Sequence, residues 1–301
     1  MKLAITGATG FIGSRLLERM VHQDLRVSAL TRRGMRPRRN VTWVQGALDD
    51  SASLAELVGG ADAVIHIAGL LTSRKAADFE AVNVAGTAAV VDTAKAAGVQ
   101  RFVHVSTLAA RHPEISLYGA SKARGEDAVS GSGLAHAIVR PPAVYGPGDK
   151  ETLDLFRMAK YGLVLLPSSG RLSLIHADDL ADLLLTLAQP RLPSPLLLEP
   201  DEGRPDGLSQ REFAALLGTA VGHRNLALKV PNVALRIGAI VDGVLRGGKA
   251  KLTPDRAAYF AHEDWVADPA RAVPGNIWRP RIKAEQGLAE TAAWYRDNGW
   301  L

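Results

Sequence analysis

Cysteine is absent from the 301 residues, which excludes disulfides, thiolate metal sites and a cysteine nucleophile. Aromatic residues are scarce, at 5%, so the chain lacks the stacking surface that single-strand nucleic-acid binders use. No uninterrupted apolar run approaches the roughly 20 residues needed to span a bilayer. The first residues read as a strand, with no charged-then-apolar leader and no cleavage signal. No spacing among the eight histidines and the carboxylates forms a metal-ligand pattern. The expectation is a cytoplasmic protein with a small-molecule substrate, no metal, no membrane span and no nucleic-acid partner.

What is present suits one large α/β domain, or a domain with a smaller appendage: hydrophobic residues are 47% and charged residues 22% of the chain. The net charge of +5 is concentrated. Five arginines fall in "TRRGMRPRRN", at Arg32, Arg33, Arg36, Arg38 and Arg39. No aromatic interleaves them, which argues against a nucleic-acid stripe.

Strand-like and helix-like stretches alternate through the first 190 residues. Strands are expected at 3–6, 26–30, 41–44, 63–68, 101–106 and 136–140, and most are short runs rich in Val and Ile, as in parallel strands buried on both faces. Helices are expected at about 11–22, 51–58, 74–97 and 118–130. This order predicts a Rossmann-like, doubly wound parallel sheet over residues 1–190. After about residue 190 the composition turns to prolines and turn residues, and helical patterns follow at 209–221, 231–247 and 284–298. Residues 191–301 are expected to form a smaller, mostly helical cap that binds substrate, with parts of 145–175 contributing to the cleft.

The sharpest local signal is "TGATGFIGS", where Gly7, Gly10 and Gly13 sit between a strand and an amphipathic helix. A glycine turn there lets backbone approach a pyrophosphate, and the helix N-terminus that follows, with Thr9, Phe11 and Ile12, offers free amides and partial positive charge. At the end of the second strand an acid would select NAD through the ribose 2′-OH. The chain has Thr31, Arg32 and Arg33 instead. A guanidinium can bind a 2′-phosphate in bidentate fashion, so NADP is expected in preference to NAD, with Arg32 as the principal contact. The competing explanation is a solvated arginine loop.

At "YGASK", Tyr118 to Lys122, the chain resembles the short-chain dehydrogenase/reductase superfamily, and specifically its extended, epimerase/dehydratase-like branch. "AVNVAGT" (81–87), "VHVSTLAA" (103–110), "RPPAVYGPGD" (140–149), "LIHADDLA" (174–181) and "LAETAAWYRDNGWL" (288–301) are also similar to that branch. The resemblance implies a catalytic set of Tyr118, Lys122 and a strand-end hydroxyl, Thr107 with Ser106 as alternative. It further implies that Asn83, Leu48, Ala68, Gly69, Pro141 and Val144 line the cofactor site, and that members pair as homodimers through helices here at 84–97 and 118–130. Tyr118 and Lys122 are four residues apart, on one face of a helix. An ammonium beside the phenol favours its ionised form and brings it toward acid/base work.

Two departures stand out. Where extended members carry an aspartate for the adenine amino group, this chain has Ala47, so that contact is lost or passes to Asp49 or the Leu48 backbone. Only ten residues separate Thr107 from Tyr118, as in atypical members. His66, His104 and His176 read as packed core residues and Asp178 and Asp179 as caps of a helix start. Arg171 is either a phosphate contact or a surface charge, and Leu163, Val164 and Leu165 either line a pocket or fill a core. Three functions follow: first, an NADP(H)-dependent oxidoreductase acting on a carbonyl/alcohol pair. The second is a nucleotide-sugar epimerase or dehydratase with tightly held cofactor, and the third a non-catalytic NADPH-binding sensor or assembly protein.

Overall fold

The computed structural model describes residues 1–166, 170–247 and 252–301. The expected cleft segment 145–175 and the cap at 191–301 therefore each include a few residues (167–169 and 248–251) outside the described set. The chain runs β1 (Lys2–Thr6), α1 (Phe11–His22), β2 (Arg26–Thr31), β3 (Val41–Gln45), α2 (Ser51–Val58) and β4 (Ala63–His66). It continues through α3 (Ala76–Phe79), α4 (Gly86–Ala96), β5 (Arg101–Val105), α5 (Leu117–Ser130) and β6 (His136–Val139). Then come β7 (Ala143–Tyr145), α6 (Leu153–Lys160), β8 (Leu163–Leu166), β9 (Arg171–Leu172), β10 (Leu174–His176), α7 (Ala177–Leu187) and β11 (Leu196–Leu198). The last elements are β12 (Leu208–Ser209), α8 (Gln210–Val221), β13 (Leu226–Lys229), α9 (Asn232–Arg246), α10 (Pro254–Ala261), β14 (Asp264–Trp265) and α11 (Ala284–Asp297).

The chain divides into two units. The first comprises residues 1–140, 180–198 and 273–278; the second comprises 141–179, 199–272 and 279–301.

Unit 1 carries a seven-stranded sheet of order β11-β6-β5-β4-β1-β2-β3, every neighbouring pair parallel. Strands buried on both faces need apolar side chains on both, and β1, β4, β5 and β6 are accordingly near-continuous apolar runs. One face packs Ala4, Val64, Phe102 and Ile138 against Leu54, Leu57, Val90 and Val91 of α2 and α4. The strand order reverses between β1 and β4. In doubly wound sheets ligands bind outside the carboxyl ends of the strands at such a switch point.

Unit 2 combines α6, α8, α9, α10 and α11 with three small sheets, β10-β7, β12-β9-β14 and β13-β8. These sheets are not part of the sequence expectation, because most of their strands are two or three residues long, too short to show a period. α8 opens with a reciprocal capping box between Ser209 and Glu212, and α10 with Thr253 as cap and proline at its first position.

The expected helix 74–97 is interrupted. Residues Glu80–Ala85 are wound as a π-helix between α3 and α4. Within it the Asn83 carbonyl accepts the Thr87 hydroxyl at 2.7 Å, and such widened turns collect at functional sites.

Candidate active site

At the end of β1 the chain turns through Gly7, whose φ of +76° is the left-handed region that side chains disfavour. A Cβ there would stand 2.7 Å from the Ala68 nitrogen just beyond β4. A Cβ on Gly13 would stand 2.0 Å from the Gly7 carbonyl oxygen, so α1 closes on the turn only because that residue is glycine. Gly10 caps α1 with no side-chain bond, and no acid occupies the first turn. The leading amides of α1, beside the exposed Thr9 and half-buried Phe11 and Ile12, are left for an anion. These features fit the pyrophosphate of a nicotinamide dinucleotide.

At the end of β2 the Thr31 hydroxyl donates to the Arg33 carbonyl at 2.9 Å, which tightens the turn. Arg32 and Arg33 are exposed, and neither guanidinium has a hydrogen bond or ion pair among the described residues. Arg39 differs, pairing with Asp24 at 3.1 Å. Asp50 is occupied as the cap of α2, accepting from the Ala52 and Ser53 amides. Leu48 is half-buried and lies against Gly86, where an added Cβ would meet its Cδ1 at 2.9 Å.

α5 starts at Ser116, whose hydroxyl accepts the Gly119 amide at 3.0 Å. Its Tyr118, Lys122 and Glu126 repeat every fourth residue and share a face. A Cβ on Gly119 would lie 2.6 Å from the Ala109 carbonyl oxygen, so the helix approaches the loop after β5 closely. In that loop Thr107 hydrogen-bonds the Tyr118 hydroxyl and also accepts the Ala109 amide at 3.3 Å. Ser106, the other hydroxyl, turns away and donates to Glu126. The buried Lys122 donates from Nζ to the Val105 carbonyl at 2.7 Å.

Asn83 ties these parts together. Its Oδ1 accepts the Leu70 amide at 2.7 Å, and its Nδ2 donates to the Leu70 carbonyl at 3.0 Å and to Ser121 Oγ at 2.9 Å. Ser121 in turn donates to the Tyr118 carbonyl at 2.8 Å. The half-buried Ala68 donates its amide to Thr6 Oγ1 at 3.2 Å. A Cβ on the exposed Gly69 would lie 3.8 Å from Lys122 Nζ. Ala68, Gly69, Asn83, Tyr118 and Lys122 therefore border one region of unit 1. Pro141 and Val144 belong to unit 2, the first buried and the second half-buried within β7.

The electrostatics depart from the expectation that Lys122 pulls the phenol toward ionisation. Burial pushes Tyr118 up to about 12, and the Thr107 hydrogen bond opposes that rise. Lys122 is not among the groups that lower it; its ammonium is turned to the Val105 carbonyl. Burial brings Lys122 down to about 8, against the pull of Glu126. His66 falls to about 3 through burial and then the Lys122 charge, and His104, stacked on it at 5.4 Å, is lowered by the same causes.

Sequence reasoning passed over several neighbours. Glu126 accepts Ser106 and a two-pronged guanidinium from Arg140, Nη2 to Oε2 at 2.6 Å. Its four-residue spacing from Lys122 is the signal that could have found it. His66 is more than core filling, since Nδ1 meets Thr6 Oγ1 at 2.7 Å and Nε2 meets Thr87 Oγ1 at 3.1 Å. Asp179, expected to cap a helix, accepts the Arg281 and Ile282 amides at 2.9 and 2.8 Å and so pins a distant segment of unit 2. Arg171 donates to the Asp206 and Gly207 carbonyls at 2.6 and 3.1 Å. Among the described residues no group of three or more His, Asp or Glu is placed to hold a metal ion, and no helix is long and apolar enough to cross a membrane.

Residues 3–194 match the NAD dependent epimerase/dehydratase family. Ceramide reductase from Caulobacter vibrioides is 37% identical, covering 99% of this chain and 96% of that protein. The 2-alkyl-3-oxoalkanoate reductase of Stenotrophomonas maltophilia is 28% identical, covering 97% and 99%. Among solved structures, MoeE5 in complex with UDP-glucose and NAD superposes with a TM-score of 0.77 at 20% identity, covering 99% of each chain. The phosphate-ready turn at the switch point and these matches reach one conclusion: the chain belongs to the NAD dependent epimerase/dehydratase family and is an NAD(P)-dependent oxidoreductase or epimerase of the extended short-chain dehydrogenase/reductase type.

Proposed function

We propose that the protein is an NADP(H)-dependent reductase acting on a ketone carried by a long-chain, lipid-like substrate. The observation that carries the reading is a phenol held protonated at neutral pH, with a hydroxyl bonded to it and a lysine one turn away. A phenol with a pKa of about 12 is almost wholly protonated at neutral pH, so it carries the proton that a reduced carbonyl oxygen needs. The substrate class rests on the ceramide reductase and the 2-alkyl-3-oxoalkanoate reductase it is similar to.

When bound, the nicotinamide supplies the hydride that makes the carbonyl carbon a secondary alcohol carbon. Tyr118 donates its phenolic proton to the oxygen as charge builds there, and Thr107 donates a hydrogen bond to the same oxygen. Lys122, charged below pH about 8, holds the nicotinamide-side ribose. The α1 N-terminus and the Gly7–Gly13 turn hold the pyrophosphate, and Arg32, with Arg33, takes the 2′-phosphate. Asn83 holds the Leu70 backbone and, through Ser121, the first turn of α5. Substrate selection falls to residues of unit 2.

The epimerase alternative draws least support from Arg171, whose guanidinium is engaged by two backbone carbonyls. The deciding experiment is to denature freshly purified protein, identify any released dinucleotide, and then follow NADPH absorbance with a 2-alkyl-3-oxoalkanoate and simple ketones. The expected result is an exchangeable site that prefers NADPH and substrate-dependent NADPH loss. About one equivalent of tightly held NAD would overturn the reductase reading. NADPH that binds and is never consumed would favour the cofactor-binding, non-catalytic reading.

A further inference from the structure

α9 of unit 2 carries more exposed branched apolar surface than a helix that serves only its own core. Val233, Ile237, Ile240 and Val241 are 68%, 56%, 62% and 48% exposed. At about 100° per residue these four fall within a stripe roughly 100° wide. Three residues of the opposite face are engaged within the unit. Ala239 is buried, a Cβ on Gly238 would touch Leu252 at 3.6 Å, and Asp242 accepts the Leu252 amide at 2.8 Å. The helix therefore presents a branched apolar stripe to solvent.

Further exposed apolar residues lie in the strand that precedes the helix in sequence. Leu226 and Leu228 of β13 alternate outward at 62% and 43% exposed, and Leu165 of the paired β8, opposite Leu228, is 42% exposed. Singly exposed apolar residues are unremarkable, but a run of this kind marks an interaction surface.

Charge identifies the occupant. Residues 222–251 contain six lysines and arginines and one acid, Asp242, against a whole-chain balance of 36 to 31. That acid is already engaged by a backbone amide on the packed face. A basic segment around an apolar stripe suits a surface that is negatively charged at its boundary and apolar beneath, which is an anionic lipid bilayer. At roughly 1.5 Å per residue the 15-residue helix is about 22 Å long, suited to lying in the interface and too short to span.

We infer that α9, with the outward face of β13, docks the protein peripherally on anionic phospholipid bilayers. The contact buries the Val233–Ile237–Ile240–Val241 stripe among acyl chains, while basic residues such as the exposed Arg224 and Lys229 meet the headgroups. It is independent of which carbonyl is reduced, since it is read by binding and not by turnover.

The test is flotation of the full-length protein with phosphatidylcholine vesicles, either pure or containing phosphatidylglycerol at about one third. The protein should float with the anionic vesicles, float much less with the neutral ones, and be released as salt is raised. Ile237→Asp with Ile240→Asp should lower the vesicle-bound fraction about tenfold or more, with thermal midpoint and NADPH affinity unchanged. The milder Ile237→Ser with Ile240→Ser guards against a folding defect and should give an intermediate loss. Equal flotation with both vesicle types, or none with either, overturns the inference. So does sedimentation showing that the aspartate pair converts a dimer to a monomer while wild-type protein ignores vesicles, since the occupant would then be a second copy. Failure of the reductase assay with vesicle binding intact would count against the proposed function alone.

Discussion

Two adjacent hydroxyls on one loop have opposite fates. "VST" offers Ser106 and Thr107 to any neighbour, and only the three-dimensional path separates them: Thr107 meets Tyr118, whereas Ser106 is consumed by Glu126. Spacing alone placed Tyr118 and Lys122 on one face of α5, but the direction of their titration was not legible, because it depends on burial. Replacing Tyr118 with Phe should lower kcat about 10²–10⁴-fold, the range for loss of a general acid, with NADPH affinity by fluorescence titration within about twofold. Arg32→Ala should weaken NADPH about tenfold or more and leave NADH unchanged; equal losses for both would remove the 2′-phosphate assignment. Lys122 has a measurable signature in stability. Its pKa is about 8 in the folded protein against 10.5 for an ordinary lysine, so between those values the unfolded chain holds the extra proton and stability rises with pH. Relative to Lys122→Met, the wild type should gain about 3 kcal/mol in urea unfolding between pH 8 and 10.5. A flat difference would mean the ammonium is hydrated.

The elements of the sheet were legible because each is a short branched run followed by a helical period, and β1 to β6 lie within about two residues of expectation. Those that escaped lack local signals. β9, β12 and β14 are two residues each. The π-helical turn at Glu80–Ala85 has no composition of its own. Its setting lies in partners such as Leu70 and Ser121, 13 and 38 residues from Asn83. The turn into α1 was the opposite case, since its glycines announce the geometry. Gly7→Ala should cost about 1–2 kcal/mol for the left-handed backbone alone, with more from the 2.7 Å approach to Ala68. Gly34→Ala, where nothing lies within 4 Å, should leave the melting midpoint within about a degree.

The first unit is sewn together by a buried cation. Arg101, fully buried at the start of β5, donates Nε to the Leu187 carbonyl at 3.0 Å and Nη1 to the Pro193 carbonyl at 3.0 Å. Arg101→Ala strands both acceptors and should destabilise the protein by about 2–4 kcal/mol in chemical denaturation, with Arg101→Lys recovering only part. That arginine read from the sequence as an ordinary strand residue, because its partners lie 86 and 92 positions away.

The path of the chain passes from one unit to the other at 140–141, 179–180, 198–199, 272–273 and 278–279. Neither unit is a contiguous stretch that a gene could gain, lose or trade as a module. A product ending at residue 190 would forfeit β11 and leave β6 as a bare sheet edge, the kind of edge that recruits other copies into aggregates. Change in what such a chain acts on therefore falls more readily to point substitution and loop growth inside an intact reading frame, since recombination at any one crossing breaks at least one unit and at 179–180, 198–199 or 272–273 breaks both.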